Sequence, residues 1–181
     1  MFDQIKSHLL NSIDDSVSDA NQFVRQPEKD FSRNSPLTMK TILKSLLALG
    51  GKSLAKELLD LDLPVSQSAF VQRRYQIKFQ AFERLFRDFT AKIPTVNPMP
   101  ILAVDGSDVI LPRNRCDKTT CIQTGSHRTP YNLTHINALY DLENGVYCDL
   151  RIQDKVDHDE RAAFIDMMEN SPFRTSTCHH G

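Results

Sequence analysis

Between residues 36 and 92 apolar side chains recur every three or four positions, whereas beyond residue 100 they alternate, so the chain predicts a helical part followed by a sheet. Ser35-Pro36 offers an N-cap with proline at the first helical position, and Met39, Ile42, Leu43, Leu46 and Leu47 carry one helix up to a Gly50-Gly51 stop. Ser53 caps a second, short helix through Leu54, Leu58 and Leu59 that ends before Pro64. Ser66 or Ser68 caps a third. In it Val71, Tyr75, Phe79, Phe82, Phe86 and Phe89 form a single apolar stripe, expected to be core, with Arg73, Gln80, Arg84 and Arg87 roughly opposite.

In the later part Ile101, Leu102, Ala103 and Val104 read as a buried strand that ends on Asp105-Gly106-Ser107-Asp108, with Val109, Ile110 and Leu111 as a continuation before Pro112. Residues 113–130 read as a long loop. Leu133 to Tyr140 and Val146 to Ile152 alternate around Asn144-Gly145, which predicts a β-hairpin with a type I′ turn. Asp157-His158-Asp159-Glu160 offers a capping box for a helix with Phe164, Ile165 and Met168 on one face, closed by Ser171-Pro172. The expected class is therefore mixed α/β: an N-terminal helix-turn-helix-like part, then strand, hairpin and helix. Three prolines in residues 93–100 mark a linker, which divides the chain into an N-terminal segment 1–35, a helical part 36–92, the linker and a final part 101–181. No repeat or low-complexity tract interrupts this.

The 181 residues carry 22 basic and 23 acidic side chains, and no apolar run reaches the roughly 18 residues a membrane span needs. Residues 1–10 lack the apolar core of a signal peptide, and four cysteines, at 116, 121, 148 and 178, are too few and too unevenly spaced for a disulfide framework, so a soluble, cytoplasmic protein is expected. Near-zero net charge hides an asymmetry. Residues 36–92 hold ten basic and five acidic side chains, against four and six in 1–35 and eight and twelve in 93–181. A basic middle between acidic ends suggests two units with different partners.

Three helices with short connections, the third opening Ser66-Gln67-Ser68-Ala69-Phe70-Val71-Gln72-Arg73-Arg74, match a helix-turn-helix. Ser66, Gln67, Gln72, Arg73, Arg74 and Lys78 are the candidate DNA contacts, donors suited to phosphates and base edges. A small helical bundle with a solvated arginine face fits the same pattern. Asp105 and Asp108 flank a glycine at a strand end, where carboxylates can hold a hard divalent cation, although Asp-Gly is also a common turn. Cys116, Cys121, His127 and Cys148 lack the paired spacing of a zinc ribbon, and Cys178-His179-His180 reads as a frayed tail. His135, beside Asn137, reads as a hydrogen-bonded sheet residue. Gly50-Gly51-Lys52-Ser53 has the ending of a phosphate loop without its first glycine or a preceding strand, which excludes an NTPase, and Ser107 lacks a nucleophile-elbow pattern.

The blocks Ile101-Leu102-Ala103-Val104-Asp105-Gly106-Ser107-Asp108 and Tyr131-Asn132-Leu133-Thr134-His135-Ile136-Asn137-Ala138-Leu139-Tyr140-Asp141-Leu142, then Val146-Tyr147-Cys148-Asp149 and Glu160-Arg161-Ala162-Ala163, resemble the start of the catalytic domain of insertion-sequence DDE transposases of the IS-four-type family. The resemblance covers residues 36–172. It implies a ribonuclease-H-like fold of three antiparallel strands, a helix and a fourth strand, with Asp105 as the first of three acidic ligands to catalytic Mg²⁺. It also implies DNA, at transposon ends, and full-length transposase as partners. No residue here matches the second aspartate or the glutamate, so the resemblance implies a truncated fragment, inactive in strand cleavage and transfer, with an open first-strand edge prone to aggregation or partial disorder beyond residue 100. The alternative is a non-catalytic DNA-binding regulator of transposition.

Overall fold

The computed structural model describes residues 2–94, 100–123, 125, 128–154 and 158–170. The chain divides into two units, residues 1–93 and 94–181; the first is helical and the second is a four-stranded antiparallel sheet with one helix. The expected Asp157 cap, the Ser171-Pro172 stop, His127, most of the proline-rich linker and the Cys178-His179-His180 tail lie outside the described residues.

The helical unit holds α1 (Phe2–Ser18), α2 (Ala20–Phe23), α3 (Met39–Ala48), α4 (Leu54–Asp60), α5 (Gln67–Gln76) and α6 (Gln80–Thr90). Residues 1–35 are integral to it: Ile13, Phe23 and Val24 pack into one core with Met39, Ile42, Leu43, Leu58, Phe70, Ile77, Ala81 and Leu85. The i, i+4 series Leu9, Ile13 and Val17 carries that α1 face, and buried Ser12 and Ser16 return their hydroxyls to the carbonyls of His8 and Ser12. Helix α3 starts later than Ser35-Pro36 predicts, because Thr38 is the cap that accepts the N–H of Thr41 at 3.1 Å. Ser35 instead turns the chain by accepting the N–H of Leu37.

Helix α4 stops without a glycine. Asp62 takes the left-handed conformation (φ 51°), the N–H of Leu63 reaches the carbonyl of Leu58, and that of Asp62 reaches Leu59.

The single aromatic stripe is overturned. Ile77 is extended, ends α5, and pairs with Val24; Arg25 donates its N–H to the Gln76 carbonyl and Lys78 donates to Phe23. That short bridge breaks the helical phase, so Ile77 and Phe70 are buried while Val71, Tyr75 and Phe79 are 40%, 66% and 66% exposed. Only Phe82 of the stripe packs partly against the core.

In the second unit β1 (Leu102–Leu111) and β4 (Val146–Asp154) flank β3 (Tyr131–Asp141). The short β2 (Cys121–Ile122), unforeseen within the expected loop, pairs with the start of β3. Asn132 anchors the preceding loop: its side chain accepts from the N–H of Asn114 and donates to the carbonyl of Asn114 and to Thr120. β1 runs unbroken through Asp105, which is mid-strand rather than at a strand end, and β1 has no partner on its outer side among the described residues. The hairpin forms, but residues 142–145 make a four-residue turn in place of type I′. Gly145 alone there has positive φ (68°), and Asp141 accepts hydrogen bonds from the N–H groups of Glu143 and Asn144.

Helix α7 (Glu160–Asn170) is capped by Asp159, which accepts from Arg161 and Ala162. It buries Ala163 and Met167, while Phe164 and Ile165, expected on the core face, are 41% and 55% exposed. The helix covers the face of β3 that carries His135, Asn137 and Leu139.

Candidate functional site

Helix α5 carries five of the six candidate DNA contacts at its start and along its length, and Phe70 and Ala69 turn its other side to the core. Ser66 is the N-cap, accepting the N–H of Ala69 at 3.1 Å. Ser66, Gln72 and Arg73 line a groove of about 750 Å³ together with Lys29, Arg33 and Ser35. Arg73 donates to Gln76 and its guanidinium lies 5.4 Å from the Phe31 ring centre. Gln67 and Arg74 fall on the opposite flank of the helix by its 100° step per residue, whereas Lys78 lies beyond the helix end at Gln76. There the Lys78 ammonium donates to the carbonyl of Gln22. The structure therefore places Ser66, Gln72 and Arg73 on one flank and Gln67 and Arg74 on the other, with Lys78 past the helix. On the outward side, which sequence reasoning assigned to the core, Arg25 stacks 4.1 Å from the Tyr75 ring centre and donates to the Tyr75 carbonyl. The connection between α4 and α5, residues 61–66, is six residues long and so exceeds the three to four usual in a helix-turn-helix.

The Gly50-Gly51-Lys52-Ser53 loop is occupied by the protein's own carboxylate. Buried Glu57 accepts the N–H groups of Gly50 and Lys52 at 2.9 and 2.7 Å, and the Lys52 ammonium pairs with Asp60. The hydrogen bond to Asp60 raises the Lys52 pKa.

Asp105 and Asp108 do not form a pair. Three residues apart on one strand, they point to opposite faces of the sheet. Asp105, paired in register with Ala138, is exposed on the face away from α7, and its Oδ1 accepts the N–H of Gly106. The residues on either side of it on that face of β1 are Ala103 and Ser107, so among the described residues no second carboxylate adjoins it to hold Mg²⁺. No three His, Cys, Asp or Glu side chains among the described residues already surround a cation position. Described Cys116, Cys121 and Cys148 are free thiols, and burial, aided by nearby Asp141, pushes the Cys148 thiol up in pKa.

Asp108 instead serves His135, expected as a sheet residue and found at 4% exposure. Asp108 Oδ1 lies 2.8 Å from His135 Nδ1. His135 Nε2 is 3.4 Å from Glu160 Oε1, and the His158 ring stands 4.8 Å away between centres. Beside them Asn137 donates to Gln153, and Gln153 donates to the carbonyl of Asp159. Arg151 pairs with Asp149 and with Asp166 of α7; burial opposes its charge, but these two carboxylates outweigh it and hold the guanidinium protonated. This polar network under α7 gave no sequence signal beyond the alternation of β3.

No helix among the described residues is long and apolar enough to cross a membrane. Comparison with protein-family models, curated proteins and solved structures finds no match to this chain.

Proposed function

We propose that this chain is a DNA-binding protein of transposition, related through its second unit to the catalytic domains of DDE transposases. The observation that carries the reading is the three-strand meander β1–β3–β4 followed by α7, with Asp105 at the middle of the first strand, on the face α7 leaves open. The outer side of β1, unpaired among the described residues, is where a ribonuclease-H-like fold adds its fourth strand. The helical unit supplies the nucleic-acid contacts. Two rows of donors along α5, Ser66, Gln72 and Arg73 on one flank and Gln67 and Arg74 on the other, with Lys78 just past its end, suit a helix laid against a duplex between two phosphate rows. The basic excess of residues 36–92 supplies the electrostatic share.

The test is fluorescence anisotropy of the full chain with labelled duplex across a salt series. Affinity falls with rising salt, and the double variant Arg73→Ala/Arg74→Ala reduces the slope of log K against log salt by about two, about one per phosphate contact. Absence of binding at low ionic strength refutes the reading.

The separation of Asp105 from Asp108 favours a second, binding-only role, in which the chain occupies transposon ends or restrains full-length transposase. A lone carboxylate does not hold Mg²⁺ against water, so the purified chain binds DNA and leaves it uncut. Mg²⁺-dependent nicking that disappears in Asp105→Ala refutes that role.

A further inference from the structure

The groove beside α5 is shared by a stretch of chain that the sequence places in a separate, acidic segment. Residues 26–31 turn tightly: the N–H groups of Lys29 and Asp30 reach the Gln26 carbonyl, and the Asp30 carboxylate accepts the N–H of Gln26. Phe31 closes the turn at φ 56°, a left-handed conformation that a bulky side chain adopts only at a steric cost. Its ring offsets that cost by packing against the core and by meeting the Arg73 guanidinium, 5.4 Å from the ring centre. Backbone strain of this kind gathers at functional sites, and here it lies between Lys29 and Arg33, which line the groove together with Arg73 of α5.

The positive charges on this lining have no counter-charge in contact. Elsewhere in the helical unit Lys40, Lys52, Lys56, Arg84 and Lys92 each pair with an aspartate. Lys29, Arg33 and Arg73 pair with no carboxylate among the described residues; Arg73 donates instead to the neutral side chain of Gln76. Glu28 shares the lining without an ion pair to any of them. The hydroxyl oxygens of Ser35 and Ser66 accept the N–H groups of Leu37 and Ala69, which leaves each O–H able to donate. Three cations and two hydroxyl donors in one groove of about 750 Å³ suit phosphate oxygens, and Val65 and Ala69 add apolar lining for a sugar face. Ser66, Gln72 and Arg73 belong both to this lining and to one flank of α5, so a strand lying against that flank meets Lys29 and Arg33 as well.

We propose that this groove holds the sugar–phosphate backbone of one DNA strand, with Lys29 and Arg33 as phosphate contacts alongside Arg73. The inference rests on the DNA-binding reading and deepens it. The interface then draws on residues 1–35, whose four basic and six acidic side chains would by net charge repel DNA. Contacts of this kind fix the register of the protein on the duplex and read no base sequence.

The test is fluorescence anisotropy of the full chain with a labelled duplex between about 50 and 200 mM salt. Lys29→Ala/Arg33→Ala reduces the slope of log K against log salt by about two, so its affinity falls over that range by a factor about ten times smaller than that of the wild type. The charge-preserving Lys29→Arg/Arg33→Lys keeps the slope, and so does Lys44→Ala/Arg87→Ala, which removes two exposed cations elsewhere in the unit. The duplex also protects Lys29, and not Lys44, from acetylation by an N-hydroxysuccinimide ester. Lys29 and Arg33 are exposed, so truncating them spares the core, and far-UV circular dichroism stays unchanged. Three results overturn this inference and leave DNA binding standing: a full slope in Lys29→Ala/Arg33→Ala, an equal drop in Lys44→Ala/Arg87→Ala, or displacement of the duplex by micromolar inorganic pyrophosphate, which assigns the groove to a small phosphorylated ligand. A wild type that binds no duplex at low ionic strength overturns both readings.

Discussion

Replacing Gly106 by alanine sets a local preference against a tertiary contact. Gly106 has no positive φ, so alanine can take its backbone conformation, and in a strand that change stabilises by about 0.5–1 kcal/mol through the unfolded chain. The added Cβ, however, meets His135 Nε2 at 2.6 Å and Cε1 at 3.0 Å. His135 cannot swing aside cheaply, because it is buried and tied to Asp108. Overpacking of this kind costs about 1–3 kcal/mol, so the net expectation is a loss of up to about 2.5 kcal/mol. Hydrogen exchange read by mass spectrometry on peptides from β3 reports it directly, as amides exchanging up to about 70-fold faster where local or global opening is limiting. A His135→Ala background removes the clash, and there Gly106→Ala slows exchange instead, by about 2- to 5-fold. Equal or slower exchange in the single variant refutes the placement of His135 over Gly106.

In the helical unit Phe70→Ala, at a position 0% exposed, costs about 3–5 kcal/mol, whereas Val71→Ser, one residue further on, stays within about 0.5 kcal/mol; chemical unfolding followed by circular dichroism separates them. The hairpin turn is acid-sensitive. Burial opposes the charge of Asp141, but hydrogen bonds from the Asn144 side chain and from the N–H groups of Asn144 and Glu143 outweigh it and hold the carboxyl below its usual range. A depressed folded pKa means that this stabilisation is present above the ordinary carboxylate pKa and is lost as pH falls through the folded value. Exchange of the Glu143 and Asn144 amides, corrected for intrinsic rates, therefore accelerates on acidification, and Asp141→Asn removes that dependence.

Elements specified by neighbours in sequence were legible. The alternation of 133–140 and 146–152 around Asn144-Gly145 located β3 and β4, and Ser53 located the start of α4, because side-chain period and turn chemistry act over a few residues. The type I′ expectation failed because Asp141 draws the turn amides onto its own carboxylate and lengthens the loop. Helix α1 was not read from the sequence, which marked residues 1–35 only as an N-terminal segment, although Leu9, Ile13 and Val17 lie at helical spacing.

The sequence by itself thus determined the class of the fold and the position of most helices and strands. Only the tertiary structure decided how they are grouped. Val24 pairing with Ile77 breaks the aromatic stripe, an event set by a contact 53 positions away along the chain. Alternation along β3 offers two faces, His135-Asn137-Leu139 and Ile136-Ala138-Tyr140, and period two cannot say which one a helix will cover. α7 covers the more polar, where Asp108 pairs with His135, Gln153 accepts from Asn137 and Arg151 reaches Asp166 of α7. The same alternation turns Asp105 and Asp108, neighbours in the sequence, to opposite sides of the sheet, so that one is left exposed and the other holds a buried histidine.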